Sequence, residues 1–220
     1  MNEAELRAEL TDCAHRLYQR GLVVAFEGNL SARLPQTTTR AGRSGWRWLL
    51  SPSRRCKAEL SPRDFLRLDE HGRADGPGHP SSEWPLHLGI YRHLPEARAV
   101  IHAHAPHCTA FACQTTGLGP LLQPELLQLL GGPVPLAPYS PPGGHELFHS
   151  IQPFLANSPV ILLANHGVVA ISRESVREAF HFLEQVEQVA RITYLARQLG
   201  SPRLLTVDEQ GQVRTASVPR

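Results

Sequence analysis

The sequence predicts an α/β fold built on a sheet that is not purely parallel. Three observations carry that reading. Apolar residues at helical spacing mark both ends of the chain, at Leu6, Leu10, Ala14 and Leu17 and again over 173–199. Short apolar runs at Ala99–Ala103, Val160–Leu163 and Val168–Ile171 fit strands instead. The last two are separated by a short connection containing Asn165-His166-Gly167, short enough for a hairpin and hence for antiparallel pairing.

Taken in order, residues 3–20 form a helix that Gly21 stops. Leu22–Phe26 reads as a short strand, followed by Glu27-Gly28-Asn29-Leu30-Ser31. The polar stretch 36–45 is a hairpin loop, and Trp46–Leu50 is the returning strand, ending in Ser51-Pro52-Ser53. Phe65–Leu68 is a further strand, and 75–80, with two glycines and two prolines, is a loop. Ser82 caps a helix running to about His93. After the strand Ala99–Ala103 a helix follows Pro106, and Gly143-Gly144 opens another over 145–156. The final amphipathic helix closes at Gly200, and residues 201–220 show too little pattern for more than a tail. With no repeat, linker or low-complexity segment, residues 1–200 read as one domain.

Composition excludes several classes. The chain has 220 residues, 41% hydrophobic and 19% charged, enough for one sizeable buried core. Its 22 basic residues are scattered and the net charge is only +2, so no nucleic-acid footprint is visible. The start, Met1-Asn2-Glu3-Ala4-Glu5, is acidic and unlike a signal peptide. No stretch approaches the roughly 20 apolar residues that span a bilayer. Cys13, Cys56, Cys108 and Cys113 show no CxxC pairing, which fits a reduced, cytoplasmic protein.

The 12 histidines are more informative. His102 and His104 stand two apart in a strand-like run, where alternate side chains share a face and both imidazoles can reach one ion. Zinc favours such donors, and catalytic zinc sites use three protein ligands with one position open. His166, between two apolar strands and beside Gly167, is the natural third. Upstream, Ser81-Ser82-Glu83 opens a helix, where a carboxylate is favoured by the dipole and free N–H groups can hold an anion. Gly28-Asn29 offers similar N–H groups in a tight turn. Each feature alone has a plainer reading: a satisfied core histidine, a first-turn acid, an ordinary turn. Plain readings are preferred outright for Cys108 and Cys113 as core-facing residues and for Trp46, Trp48 and Trp84 as packing. Glu174, Glu184 and Glu187 read as the solvated or intersubunit face of the last helix, and Tyr139 and His145 as the pocket border.

Together the motifs Gly28-Asn29-Leu30-Ser31, Ser51-Pro52-Ser53, Ser81-Ser82-Glu83-Trp84, His102-Ala103-His104 and Asn165-His166-Gly167 resemble the class II aldolase/adducin family. So do Val134–Tyr139 and Gly143–Leu147, and the likeness covers roughly residues 5–200 in order. The resemblance implies a three-layer α/β/α fold around a largely antiparallel mixed sheet, assembled as a homotetramer with sites at subunit interfaces. It implies one Zn²⁺ per chain, or another divalent metal, on His102, His104 and His166. Glu83 would be a fourth ligand that becomes an acid/base once substrate displaces it. Gly28, Asn29, Ser53, Ser81 and Ser82 would line the phosphate pocket. The implied activity is a lyase: an aldolase cleaving a phosphorylated ketose to dihydroxyacetone phosphate and an aldehyde through a metal-stabilised enediolate.

Two departures bear on substrate. Ser53 is followed by Arg54 where the family's aldolases carry glycine. Glu125 stands where they carry a catalytic tyrosine, so it is the candidate for a second catalytic role, as in the family's methylthioribulose-phosphate dehydratases. Dehydration, decarboxylation and 4-epimerisation on the same fold and metal, and with them a sugar-acid substrate, are therefore the alternatives. A non-catalytic adducin-like scaffold would be expected to lose the metal ligands, and this chain keeps them. A zinc hydrolase would suit the donors, but the anion-binding turns favour a phosphate.

Overall fold

The computed structural model describes residues 1–35, 38–39, 42–43, 45–76, 78–119 and 122–216. Its centre is a seven-stranded sheet of β1 (Asn29–Arg33), β4 (Trp46–Leu50), β5 (Leu66–Asp69), β6 (Ala99–Ala103), β7 (Leu136–Ala137), β8 (Val160–Leu163) and β9 (Gly167–Ser172). The spatial order is β5-β4-β1-β6-β9-β8-β7, and every pairing is antiparallel except β7 with β8. Two short segments, β2 (Thr38–Thr39) and β3 (Gly42–Arg43), pair separately within the expected hairpin loop. Residues 36, 37, 40, 41 and 44 of that loop lie outside the described residues.

Alternation along the strands explains the layers. Leu30, Ala32, Ile101, Ala103, Val168 and Ala170 point to one face and join a core with α1 (Glu3–Gln19), α3 (Pro106–Ala112), α4 (Pro124–Leu130) and α6 (Val176–Gln198). Val100, Val169, Ile171, Trp48 and Leu50 point to the other and meet α2 (Trp84–His93) and α5 (His145–Ile151). The result is helices on both sides of a sheet, an α/β/α sandwich. Each leucine fully buried between layers, such as Leu10, Leu17 or Leu183, contributes about 1.5–3 kcal/mol against leaving it in water.

Local signals set several helix starts. Asn2 and Glu5 form a reciprocal capping box on α1, and Ser175 accepts the Glu178 N–H at 3.0 Å to start α6 three residues later than its apolar pattern suggests. The helix beginning near residue 82 is capped at Glu83, without a side-chain cap bond, and not at Ser82, which is exposed.

Four further sequence expectations are corrected. Leu22–Phe26 is no strand: Leu22 and Val23 are buried, but Val24 and Phe26 are exposed and the backbone turns at Gly21, Ala25 and Gly28, all at positive φ. The strand starts at Asn29 instead. The expected tail contains α7 (Val207–Ala216), whose Val213 packs against the larger core. Cys113 is exposed, because it is the C-cap of α3 where Cys108 faces inward. Glu187 is buried, and its carboxylate accepts the N–H groups of His107 and Cys108 at the start of α3.

Candidate metal centre

The sheet register builds the centre. Asn29 on β1 lies directly opposite His102 on β6, and His102 lies opposite Val169 on β9. His104 follows two residues on, just beyond the end of β6, so it keeps the face of His102. His166 sits in the turn between β8 and β9, after Asn165 at φ +56°. The three histidines each offer a nitrogen, and those atoms lie within 4.8 Å of one another. Two glycines permit the approach. A Cβ on Gly167 would stand 2.5 Å from the Ala103 carbonyl oxygen and 3.0 Å from the His104 ring. One on Gly28, already at φ +68°, would stand 2.8 Å from the His102 carbonyl oxygen.

The donor chemistry fits a cation. His102, fully buried, donates from Nδ1 to the Val168 carbonyl at 3.0 Å, which leaves Nε2 as a bare lone pair. That lone pair faces His104 Nε2 at 3.1 Å and Glu83 Oε2 at 3.3 Å. Glu83 Oε1 lies 3.2 Å from His166 Nε2, yet it is buried without a hydrogen-bond partner, as is His166 Nδ1. Acceptors converging on acceptors repel unless a proton or a metal ion lies between them. Three histidines and a carboxylate are also the ligand set that suits zinc. His104 remains partly exposed, so the cluster opens to solvent on that side.

Glu83 is tightly held. Burial pushes its carboxyl up, but His102, His166 and a 2.8 Å bond from Asn29 Nδ2 outweigh burial and hold it well below the usual carboxylate range. Burial pushes His102 down to about 4, so it is uncharged at neutral pH, where the His166 contact and the Asn29 bond still favour the carboxylate. Ser81 is buried and its hydroxyl accepts the Glu83 N–H at 3.4 Å.

The structure thus brings together Asn29, Ser81, Glu83, His102, His104 and His166. The Ser51–Ser53 segment lies beside them: Ser81 N–H donates to the Ser51 carbonyl and Ser53 N–H to the His79 carbonyl. Gly28 belongs to the turn in front of β1. The side chain of Asn29, a phosphate-pocket candidate, bonds Glu83 and His87. Ser82 is exposed at the same corner. Glu125 is exposed on the first turn of α4 and is not part of the three-histidine group. Arg54 is exposed with φ +55° and lines a cavity of about 1060 Å³ with Ser53, Arg55, Arg63 and His79.

Sequence reasoning gave no role to several residues around the centre. Glu27 Oε2 lies 3.5 Å from His104 Nδ1. Lys57 is buried, pushed down to about 8 by burial, and its ammonium reaches the carbonyls of Phe26 and Arg55 at 3.4 and 3.3 Å, tying two turns together. His87, Ser31 and Tyr91 form a buried polar chain behind Asn29. The available signal was spacing: Ser31 is two residues from Asn29 on one strand, and His87 is four from Glu83 on one helix.

Comparison with known proteins places this geometry. Residues 8–194 match the model of the class II aldolase and adducin N-terminal domain. The chain is 31% identical over 218 residues to the 3-oxo-tetronate 4-phosphate decarboxylase of Escherichia coli strain K12, covering 97% of each. It is also 31% identical over 208 residues to a 5-methylthioribulose-1-phosphate/5-deoxyribulose-1-phosphate aldolase of Rhodospirillum rubrum, covering 94% of this chain and 89% of that one. Among solved structures, a Klebsiella pneumoniae protein described as an aldolase, epimerase or decarboxylase superposes with a TM-score of 0.81 at 30% identity, over 97% of this chain and 100% of that chain.

Proposed function

This chain belongs to the class II aldolase and adducin family and is an enzyme of the class II aldolase type, and on that premise we propose that it is a divalent-metal lyase, with zinc as the metal. It breaks the C3–C4 bond of a phosphorylated ketose, between the carbon next to the carbonyl and the hydroxyl-bearing carbon beyond it, releasing dihydroxyacetone phosphate and an aldehyde. One observation carries the reading: His102, His104, His166 and Glu83 converge at one open corner of the sheet.

His102, His104 and His166 would hold the metal, which when bound supplies Lewis acidity to the carbonyl and neighbouring hydroxyl oxygens. In the cleavage direction the hydroxyl on the carbon beyond the break passes its proton to a base at the aldehyde end, Glu125 in this reading, as the C3–C4 bond breaks. Its electron pair stays on the carbon next to the carbonyl. Glu83 then delivers a proton to that carbon, and in the reverse direction removes it. Gly28, Ser53, Ser81 and Ser82 would bind the phosphate and so orient the reacting end. Glu125, exposed in its own protomer, would serve the site of a neighbouring subunit at the aldehyde end. Exposed Val24 and Phe26, in the turn leading to Glu27, support a covered face beside the site in a homotetramer.

A second reading has its own support. The cavity beside Ser53 is lined by Arg54, Arg63 and His79, with Arg55 paired to Asp64, and these cations would suit a further anionic group. A phosphorylated 3-oxo sugar acid would bring one, and losing carbon dioxide it would leave the same dihydroxyacetone phosphate.

Product analysis after incubation with ketose 1-phosphates and phosphorylated 3-oxo acids tests both. An aldehyde appearing with dihydroxyacetone phosphate supports the first reading, carbon dioxide supports the second, and neither product from any substrate would remove both. Exchange of the hydroxymethyl hydrogen of dihydroxyacetone phosphate with deuterated water is expected in either case. Glu125→Gln should slow aldehyde release by about 100-fold, in the range of acid–base removal, while leaving that exchange intact. Unchanged release would return Glu125 to the surface.

A further inference from the structure

Behind Glu83 runs a chain of four buried side chains that the chemistry above does not use. Asn29 turns its Nδ2 to Glu83 at 2.8 Å and its Oδ1 to His87 Nε2 at 2.5 Å. His87 Nδ1 lies 2.6 Å from Ser31 Oγ, which lies 2.8 Å from the Tyr91 hydroxyl. Asn29, Ser31, His87 and Tyr91 are 3%, 1%, 0% and 2% exposed, so no solvent water competes for these bonds. Ring packing fixes the far end: Tyr91 stacks on Trp48 at 5.7 Å, and the Arg33 guanidinium lies 5.0 Å above its ring.

The proton in each bond follows from the next. An amide oxygen only accepts, so His87 must donate from Nε2. A neutral imidazole protonated at Nε2 is bare at Nδ1, so Nδ1 must accept from the Ser31 hydroxyl. Ser31 has then used its one proton and accepts from Tyr91. Every donor in the chain points toward Glu83.

We propose that His87 is a positioning residue: locked as the Nε2–H tautomer by Ser31 and Tyr91, it holds the Asn29 amide with its N–H toward Glu83. Burial pushes His87 down to about 3, which keeps the ring neutral and the polarity fixed throughout the ordinary pH range. Were the ring to adopt the other tautomer, the amide would turn over and present its carbonyl to the Glu83 carboxylate. His87 touches no substrate in this account. It acts through Asn29, and the proposal rests on the reading of Glu83 as the group that moves the carbon-bound proton.

Two measurements on the full chain test this. Nitrogen-15 NMR of histidine-labelled protein should show His87 bare at Nδ1 and protonated at Nε2, and Ser31→Ala should replace that pattern with a mixture of tautomers. With zinc-loaded protein and dihydroxyacetone phosphate in deuterated water, Ser31→Ala should slow saturated exchange about tenfold, with KM and bound zinc unchanged. His87→Leu should lose more. His87→Gln, whose amide offers one donor and one acceptor, should regain most of the rate. A wild-type His87 protonated at Nδ1, or Ser31→Ala exchanging at the wild-type rate, would overturn the proposal. The expected tautomer in a protein that exchanges no hydrogen would support the orientation and strike only the reading of Glu83.

Discussion

The two faces of the central sheet are built from the same strands but from different chemistry. Toward α1, α3 and α6 the strand positions are Leu30, Ala32, Ile101, Ala103, Val168 and Ala170, an unbroken apolar surface. Toward α2 and α5 the same strands present Asn29, Ser31 and His102 among Val100, Val169 and Ile171. The apolar face needs only volume and can be satisfied by many residues. The polar face needs each donor matched to an acceptor, since a buried polar group left unpaired costs about 1–3 kcal/mol. Both faces bury an apolar core, and the second also carries the polar arrangement of the candidate site.

Breaking the polar face at its centre should have the largest effect. Glu83→Gln is expected to keep the fold and the metal while slowing proton exchange by about 10²–10⁴-fold, the range for losing a positioned acid–base group. Exchange at the wild-type rate would take the carboxylate out of the reaction. Breaking the apolar face should do the opposite. Leu183→Ala, on the buried side of α6, is expected to cost about 2–5 kcal/mol in denaturant unfolding without changing bound metal or exchange per folded molecule. A loss of metal there would show that the faces are not separable.

A smaller effect should appear on acidification. The ordinary histidine value of 6.5 falls to about 3 for His87 because burial disfavours the charged ring. A base whose folded value is depressed stabilises the fold fully above about pH 6.5 and loses that contribution as pH falls toward 3. Between those limits wild type should lose up to about 1.4 kcal/mol per pH unit more than His87→Gln. Parallel curves in urea melts at pH 6.5 and 5 would show that His87 is not held neutral.

Much of this architecture was legible in the sequence, for identifiable reasons. Strand β8 is a continuous apolar run, β6 and β9 are apolar apart from His102 and Ser172, and α1 and α6 carry clear helical periodicity, so their types and approximate limits could be read. His102 and His104 were legible because a two-residue spacing in a strand has one geometric meaning. Leu22–Phe26 misled because an apolar run looks the same whether it forms a strand or packs in pieces around turns, and positive φ at Ala25 leaves no mark in composition. The true strand, Asn29–Arg33, was obscured by its polar residues. Asn29 and Ser31 are there to meet Glu83, His87 and Tyr91, partners 54 to 60 positions away that no local window contains. Glu187 failed for a related reason: on a helix face it looks solvated until α3 is folded onto it.

The most direct test of the account is X-ray absorption at the zinc edge on protein purified without chelator. The account predicts about one zinc per chain, with imidazole nitrogens from three histidines near 2.0–2.1 Å and no sulfur, and no zinc retained by His104→Ala. A sulfur-ligated zinc, or wild-type protein that neither retains nor binds a divalent metal, would contradict it.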